Sequence, residues 1–558
     1  MFSDNYNLES SSSQQSIDPI FINKNLAYVE DQNTNYATQQ VKFDISSLYN
    51  QSKFINPKDM ELVIPLVAVL SVSKGATASA DTKGLSLENG YCMGFKSGYY
   101  NLISSINITY NQKTVQQNTQ NLNYLVNFNK LTKLTHEKLE KEKYNSGFNP
   151  DSSNSWKYNL ASEIEGNGIT NNNPSFVVND LKSIIRKNNN NSGFFDRMNK
   201  TAFKTDTNLL NASELNNELK SYNITDNNKH VIYDTAHIKL SDISSFFENM
   251  PMTKSFNCTI IIELNLGSLK IAVGADKKLS LSAGDIDFRK GTCPLMISPI
   301  GKGLNIIDLS EVTEIVLGLH CVDVLATKGS KSQSTLGVVS HSLKKCRIYV
   351  PMIQMEESVE EKYEIDMRQK QIFFNDYNYY TLLNVTGDIN FSLSNTLSNL
   401  RGVLLVPFIS SAVNGKISGA NGITHLPFSP TYSPFTSEPS TTSPLMRISN
   451  LNIQLAGENV YSQNLDYGFQ MYKNEVAVLN AIDGNQNDRF TSGLISQEDW
   501  DNNYRYYYVD LSRKIQDNSM KSIQIMGRNA SAVAMDIHIY LIYTKKAIID
   551  CVTGVLAM

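Results

Sequence analysis

The amino-acid sequence predicts an all-β protein in which one β-sandwich is used twice. The main evidence is internal, because residues 104–115 align without gaps on residues 449–460, and each segment has the pattern of an alternating strand that turns into a second short strand. An apolar strand with a single proline precedes each segment at a similar distance, marked by Pro65 in the first copy and Pro407 in the second. Matching elements at matching spacing indicate a tandem repeat.

Length and composition agree with this fold class. The chain has 558 residues, which is more than one hydrophobic core normally serves, so we expect two domains. It contains 28 tyrosines and 23 phenylalanines, which favour strands, while long helical patterns are scarce. We therefore expect short helices only, together with long loop insertions.

The first domain is predicted over residues 39–355. Its strand patterns are either alternations of apolar and polar residues or continuous apolar runs, as expected for strands that line a sandwich core. These segments are residues 41–45, 62–70, 256–264, 315–319 and 346–353.

Two segments associated with this domain do not have a strand pattern. Residues 1–38 are rich in Ser, Asn and Gln and are predicted to form an N-terminal arm that is flexible unless a neighbour orders it, with an untethered tail as the alternative. Residues 128–230 combine a short charged helix at 134–143 with asparagine tracts. We predict that this insertion projects from the first sandwich and contributes little to its core, since asparagine tracts bury little apolar surface.

An acidic segment without β character separates the two copies. We predict a linker at residues 356–367 and a second domain at 368–558. The closing strand of the second domain, at 535–543, repeats the pattern of the closing strand of the first, at 346–353. The two copies therefore match in their closing strands as well as in the aligned segments 104–115 and 449–460.

A proline-rich segment in the second domain is the predicted interface element. Residues 427–444 contain five prolines, which exclude a helix or a central strand. Phe428, Tyr432 and Phe435 lie between these prolines and are large enough to bury against a neighbour. We predict that these three residues make an intersubunit contact; a well-packed surface loop is the alternative.

The motifs of common catalytic and metal sites are missing. The seven histidines show no metal-ligand spacing, and His230, Asp234 and His237 match no metal motif. The six cysteines contain no CxxC pair, and neither a phosphate-binding loop nor a nucleophile elbow is present. We predict no catalytic residue, no cofactor and no metal, and therefore no enzyme.

The net charge and the N-terminal sequence exclude further classes of function. The formal net charge is −4, which does not favour a protein that coats nucleic acid through its folded surface. The N-terminus has neither a basic start nor an apolar core, so no signal peptide is predicted, and the longest apolar run, at 62–70, is too short to span a bilayer. We expect synthesis in the cytoplasm.

Several local motifs resemble one protein family. They are residues 347–351 with the following Glu360, Glu361 and Tyr363, and residues 404–408, 433–439 and 505–510. With the tandem repeat, these motifs resemble the double jelly-roll major capsid proteins of double-stranded DNA viruses of the adenovirus, tailless-phage, virophage and polinton-like lineage, most closely the polinton-like and virophage branch.

The resemblance implies a specific assembly. It implies two tandem eight-stranded jelly-roll β-sandwiches side by side, three chains forming a pseudo-hexameric homotrimer, and trimers paving an icosahedral virion capsid. The partners would be the chain itself, neighbouring capsomers, and penton and minor capsid proteins, with no specific nucleic-acid binding.

Two other functions fit a tandem β-sandwich. A carbohydrate-binding or adhesion protein is the first alternative, and it would require export. A jelly-roll hydrolase or cupin is the second, and it would require a metal or carboxylate site. A non-enzymatic structural capsid protein is the function that we predict.

Overall fold

The computed structural model describes most of the predicted strands. The described residues are 21–33, 39–48, 53–74, 92–117, 120–151, 197, 229–273, 279–280, 287–288, 292–298, 312–321, 345–410, 446–482, 493–502, 504–512, 520–531 and 534–558.

The first half of the chain forms two sheets that face each other. One has the strand order β1-β14-β4-β8 and the other β2-β9-β6-β7; β13, β10 and β11 extend the first sheet, β3 pairs with β14, and β5 pairs with β12. The strands are β1 Phe21–Glu30, β2 Gln40–Asp44, β3 Phe54–Ile55, β4 Glu61–Lys74, β5 Cys92–Phe95, β6 Ile103–Tyr110, β7 Lys113–Gln116, β8 Lys229–Lys239, β9 Cys258–Leu264, β10 Gly267–Val273, β11 Leu279–Ser280, β12 Leu295–Ser298, β13 Val312–Cys321 and β14 Arg347–Met355.

The second half repeats this arrangement. Its sheets have the orders β15-β22-β17-β20 and β16-β21-β18-β19, and β23 pairs with β22. The strands are β15 Lys370–Val385, β16 Asp388–Leu397, β17 Leu400–Ile409, β18 Ile448–Leu455, β19 Glu458–Asn459, β20 Tyr507–Asp510, β21 Lys521–Asn529, β22 Met535–Ile549 and β23 Leu556–Ala557. Each half therefore contains the eight strands of a jelly roll in two facing sheets, with additional strands beside them, and the predicted fold class is confirmed.

The helices are short, as predicted, and lie in the connections. They are α1 Leu122–Lys133, α2 His136–Ser146, α3 Leu240–Ile243, α4 Ser245–Asn249, α5 Glu357–Asp366, α6 Phe469–Ile482 and α7 Gln497–Asn502, with 3₁₀ turns at Ile45–Leu48, Pro57–Asp59 and Tyr99–Leu102. Helix α5 occupies the predicted linker, and the Glu356 carboxylate caps its N-terminus by accepting bonds from the backbone N–H groups of Ser358 and Val359.

The internal repeat detected in the sequence corresponds to equivalent strands. Ile108 on β6 pairs with Ile260, and Ile453 on β18 pairs with Ile525, each two residues before a tight turn. Both turns contain a residue with left-handed backbone: φ is 64° at Gln112 and 84° at Gly457, the matching residue of the second copy. The repeat in sequence is therefore a repeat in register and in turn geometry.

Two details of the repeat differ between the two copies. Leu451 is as fully buried as its counterpart Ile106, but it lies within a register shift of β18 that runs from Ser449 to Asn452. Pro65 and Pro407 lie on the equivalent strands β4 and β17, one residue apart in register.

The prediction of a flexible arm over residues 1–38 is wrong for residues 21–30. These residues form β1, which pairs along its length with β14 and holds the place that β15 has in the second roll. Val29 is buried against the core, and the backbone N–H and C=O groups facing β14 are satisfied by the ladder. The first jelly roll thus includes residues from Phe21 onward, which lie ahead of the predicted boundary at residue 39.

The prediction that residues 128–230 contribute little to the core is wrong for their first part. Helices α1 and α2 place Phe128, Leu131, Leu134 and Leu139 in the main hydrophobic core. Ten of the twelve residues of α1 are buried, so the helix is enclosed on nearly all sides. The asparagine tracts lie outside the described residues.

Candidate functional site

Helix α1 of the first roll covers the outer face of a sheet of the second roll. The Tyr124 ring lies 5.2 Å from the Phe408 ring and 5.3 Å from the His538 ring, measured between centroids. One turn further on, Phe128 packs against Tyr506 at 5.3 Å. Because aromatic side chains bury large areas, this row of rings is a strong apolar contact between the two rolls. We call it the aromatic seam.

Hydrogen bonds across the aromatic seam satisfy its polar groups. The Asn121 side-chain amide donates to the Tyr379 hydroxyl at 2.8 Å, and the Tyr540 hydroxyl donates to the Asn121 carbonyl at 2.8 Å. The Asn127 amide donates to the Tyr506 hydroxyl at 3.0 Å. Buried polar groups need such partners, so the seam fixes one orientation of the rolls.

A second set of contacts lies at the end of the molecule where β15 begins. Phe246 on α4 packs edge-on against Phe374 with centroids 5.3 Å apart. Lys113 donates to the Leu556 carbonyl at 2.8 Å, and Lys545 donates back to the Val115 carbonyl at 3.0 Å. These contacts join the tight turn of the first roll to the closing strands of the second.

The linker helix α5 is held against the first roll. The Lys254 ammonium bonds to the carboxylates of Glu360 and Glu364. The Tyr363 ring meets Phe54 edge-on at 5.3 Å, and its hydroxyl donates to the Met252 carbonyl at 3.0 Å. The linker is therefore a packed structural element.

A cleft of about 190 Å³ opens beside the seam, between α1, α2 and β15. Five lysines and four carboxylates line it, and Lys130 pairs with Asp242 at 2.6 Å and with Glu142 at 3.6 Å. This near balance of charge gives no preference for an anion or a cation. Among the described residues, no group of three or more His, Cys, Asp or Glu side chains is arranged to hold a metal ion.

An exposed apolar stripe lies on β1, the edge strand of the first roll. Leu26 is 65% exposed, Tyr28 is 50% exposed, and Ile22 extends the stripe. The Arg347 guanidinium stacks 4.5 Å from the centre of the Tyr28 ring and pairs with Glu30 at 2.8 Å. Exposed apolar groups on a sheet edge are typical of association surfaces.

The predicted interface residues Phe428, Tyr432 and Phe435 lie outside the described residues, so their role remains a prediction. The stripe on β1 lies within residues 1–38, where the composition predicts an arm and no association surface. Apolar residues such as Leu26, Tyr28 and Val29, close together in this otherwise polar stretch, were the available signal.

His538 makes the aromatic seam sensitive to acid. Its ring is half-buried among Tyr124, Tyr379 and Phe408, and the Tyr379 hydroxyl lies 2.6 Å from its Nδ1. Desolvation lowers the pKa of His538 to about 4, although the Asp536 charge opposes this shift.

The resulting pH dependence is testable. The unfolded chain takes up a proton near the ordinary histidine pKa of about 6.5, whereas the folded chain does so only near pH 4, so stability falls as the pH drops from about 6.5 towards 4. At pH 5 this histidine should cost the folded state about 1 to 2 kcal/mol relative to pH 7.5. Urea unfolding at both pH values should show a smaller pH dependence for His538→Gln than for the natural protein. His136→Gln, at an exposed position on α2, is the control and should change nothing; an equal response of both variants would contradict the assignment.

No helix in the described part of the chain is long and apolar enough to cross a membrane. No protein-family model matches the sequence, and no curated protein matches it.

Solved structures resemble the chain along its whole length. A chain in the cryo-EM structure of the Sputnik virophage matches with a TM-score of 0.51 and 10% identity, over 99% of this chain and 91% of that chain. The mavirus major capsid protein matches with a TM-score of 0.45 and 11% identity, over 100% and 94%. The Faustovirus major capsid protein matches with a TM-score of 0.40 and 11% identity, over 98% and 94%. The protein therefore has the double jelly-roll fold of the Sputnik virophage chain, and the resemblance inferred from its sequence is confirmed at the level of the fold.

Proposed function

We propose that this protein is a major capsid protein that forms pseudo-hexameric homotrimers and builds the icosahedral shell of a double-stranded DNA virus. The observation that supports this most is the packing of two equivalent jelly rolls into one body by the aromatic seam. The likeness to the Sputnik virophage chain, which spans both rolls, supports the same conclusion.

The proposed mechanism is geometric. Because each chain contributes two similar rolls, three chains around a threefold axis give six rolls and a nearly hexagonal tile. The seam and helix α5 keep the two rolls of a chain in one arrangement, so that the tile has a defined shape. Exposed apolar groups, such as those on β1, supply contacts between chains.

Further partners follow from this role. We propose that the trimers contact one another, penton proteins and minor capsid proteins in the virion, and that Phe428, Tyr432 and Phe435 take part in trimer contacts. A net charge of −4 favours a shell that meets the genome weakly, without specific nucleic-acid binding. The chain needs no enzymatic activity for this role.

The oligomeric state tests the proposal. Size-exclusion chromatography with light scattering should give a mass near three times 62.5 kDa for the purified chain. A protein that stays at 62.5 kDa at all concentrations up to those of assembly reactions would contradict a capsomer.

A further inference from the structure

The outer face of the closing strand and its edge neighbour has a different environment in each of the two rolls. On the second roll, the outer face of the pair β15 and β22 lies under helix α1 of the first roll. On the first roll, the equivalent face of β1 and β14 contains the exposed apolar stripe.

The register of the strands makes these faces equivalent. Tyr28 lies opposite Tyr349 in the first roll, and Tyr379 lies opposite Tyr540 in the second. Ile348, which precedes Tyr349 on β14, points into the core of the first roll. Ile539, which precedes Tyr540 on β22, points into the core of the second roll. The tyrosine pair therefore stands at the same place on the same face, with ring centroids 6.1 Å apart in the first roll and 5.2 Å apart in the second.

Helix α1 covers the second-roll pair, whereas the first-roll pair is partly exposed within the described part of the chain. Tyr540 is fully buried, and its hydroxyl and that of Tyr379 both bond to Asn121, the residue that precedes α1. Tyr28, by contrast, is half exposed, and Tyr349 is only partly buried. The first roll thus presents a face of the kind that the second roll buries against a neighbouring jelly roll.

The element that covers this face also has a counterpart. Helix α1 follows β7, the last strand of its sheet, and helix α6 follows β19, the equivalent strand of the second roll. On α6, Gln470 and Asn474 are one turn apart and exposed, and Met471 and Lys473 beside them are half-buried. Helix α6 and the exposed face of β1 are therefore the counterparts of α1 and the face of β15 and β22, which meet inside the chain.

We propose that the face formed by Leu26, Tyr28 and Tyr349 binds a second copy of this chain through its helix α6, in the way that the second roll binds α1. The inference rests on the proposed homotrimer and names the surfaces that form it. Such a contact is head-to-tail, because different surfaces meet, and a head-to-tail contact that closes after three copies gives a ring. Arg347 and Glu30 form an ion pair beside the two tyrosines. In the proposed contact this pair faces the polar side of α6.

The first test is the oligomeric state of Tyr28→Asp, measured by sedimentation velocity over a dilution series. A charge at the centre of the contact should raise the apparent dissociation constant of the trimer at least about 30-fold, the effect of losing one strong interface residue. Tyr144→Asp is the matched control, since Tyr144 is 69% exposed on α2, away from this face, and should leave the trimer intact.

The outcomes separate the two proposals. A natural protein that never forms trimers would overturn the proposed function. A natural protein that forms trimers, with a Tyr28→Asp variant that forms them equally well, would overturn only this inference and leave the face to another partner, such as a minor capsid protein or a lipid surface.

A second measurement covers the case in which Tyr28→Asp fails to fold. Tyr28 is replaced by the photo-crosslinking amino acid p-benzoylphenylalanine, which keeps an aromatic ring, and the illuminated trimer is digested and analysed by mass spectrometry. Cross-links from position 28 to peptides of α6 in another chain are expected. Cross-links confined to other regions of the neighbouring chain would contradict the proposed contact.

Discussion

Phe128→Ala should destabilise the folded protein by about 3 to 5 kcal/mol, the usual cost of removing a fully buried phenylalanine ring. Phe128 is fully buried on α1, with its ring against those of Tyr506 and Tyr508 of the second roll. The truncation leaves a cavity in the aromatic seam, where surrounding strands cannot collapse freely. Urea unfolding followed by circular dichroism measures the effect.

The position of the lost contact gives this variant a second signature. Because Phe128 joins the two rolls, its loss should separate one cooperative transition into two, with each roll unfolding at its own urea concentration. Tyr144→Ala, which removes an exposed ring from the neighbouring helix, should change the unfolding free energy by less than about 0.5 kcal/mol. Equal stabilities of the two variants would show that the seam does not join the rolls.

Among substitutions that add one methyl group at the contact between the rolls, Gly554→Ala should lower the stability of the folded protein most. Gly554 has a φ of 70°, and a Cβ atom there would stand 1.9 Å from the backbone oxygen of Ser255 in the first roll. The variant combines left-handed strain of about 1 kcal/mol with a clash against backbone that cannot rotate away. We expect a total loss of at least about 3 kcal/mol.

Gly457→Ala separates the loss of stability caused by backbone strain from the loss caused by the clash. Gly457 also has a positive φ, of 84°, but a Cβ atom there meets no other atom within 4 Å. This control should lose only the conformational part, about 1 kcal/mol. Thermal unfolding of both variants gives the comparison, and similar losses would mean that Gly554 does not pack closely on Ser255.

The tandem fold was predictable from the sequence because strand alternation and turn geometry are local. Residues 104–115 and 449–460 encode the same strand, left-handed turn and second strand, so the repeat survives in the sequence where overall similarity has faded. The closing strands β14 and β22 were predictable for the same reason, because apolar residues at alternate positions of each strand face the core.

The contacts between the rolls could not be predicted in this way. Strand β1 of the first roll was missed as well, because most of its residues are exposed in the single chain and its mixed polar pattern resembles a tail. Helix α1 lies in a segment whose composition is dominated by later asparagine tracts, and its partners, such as Tyr506, are more than 370 residues away in sequence. Only the three-dimensional structure brings these residues together.

Electron microscopy of the purified chain tests the central claim, a capsomer built from double jelly rolls, most directly. In negatively stained images at assembly concentrations, class averages should show particles with threefold symmetry and a hexagonal outline, in which six lobes correspond to six jelly rolls. Class averages of isolated two-lobed particles at the same concentrations, without threefold particles or shells, would contradict it.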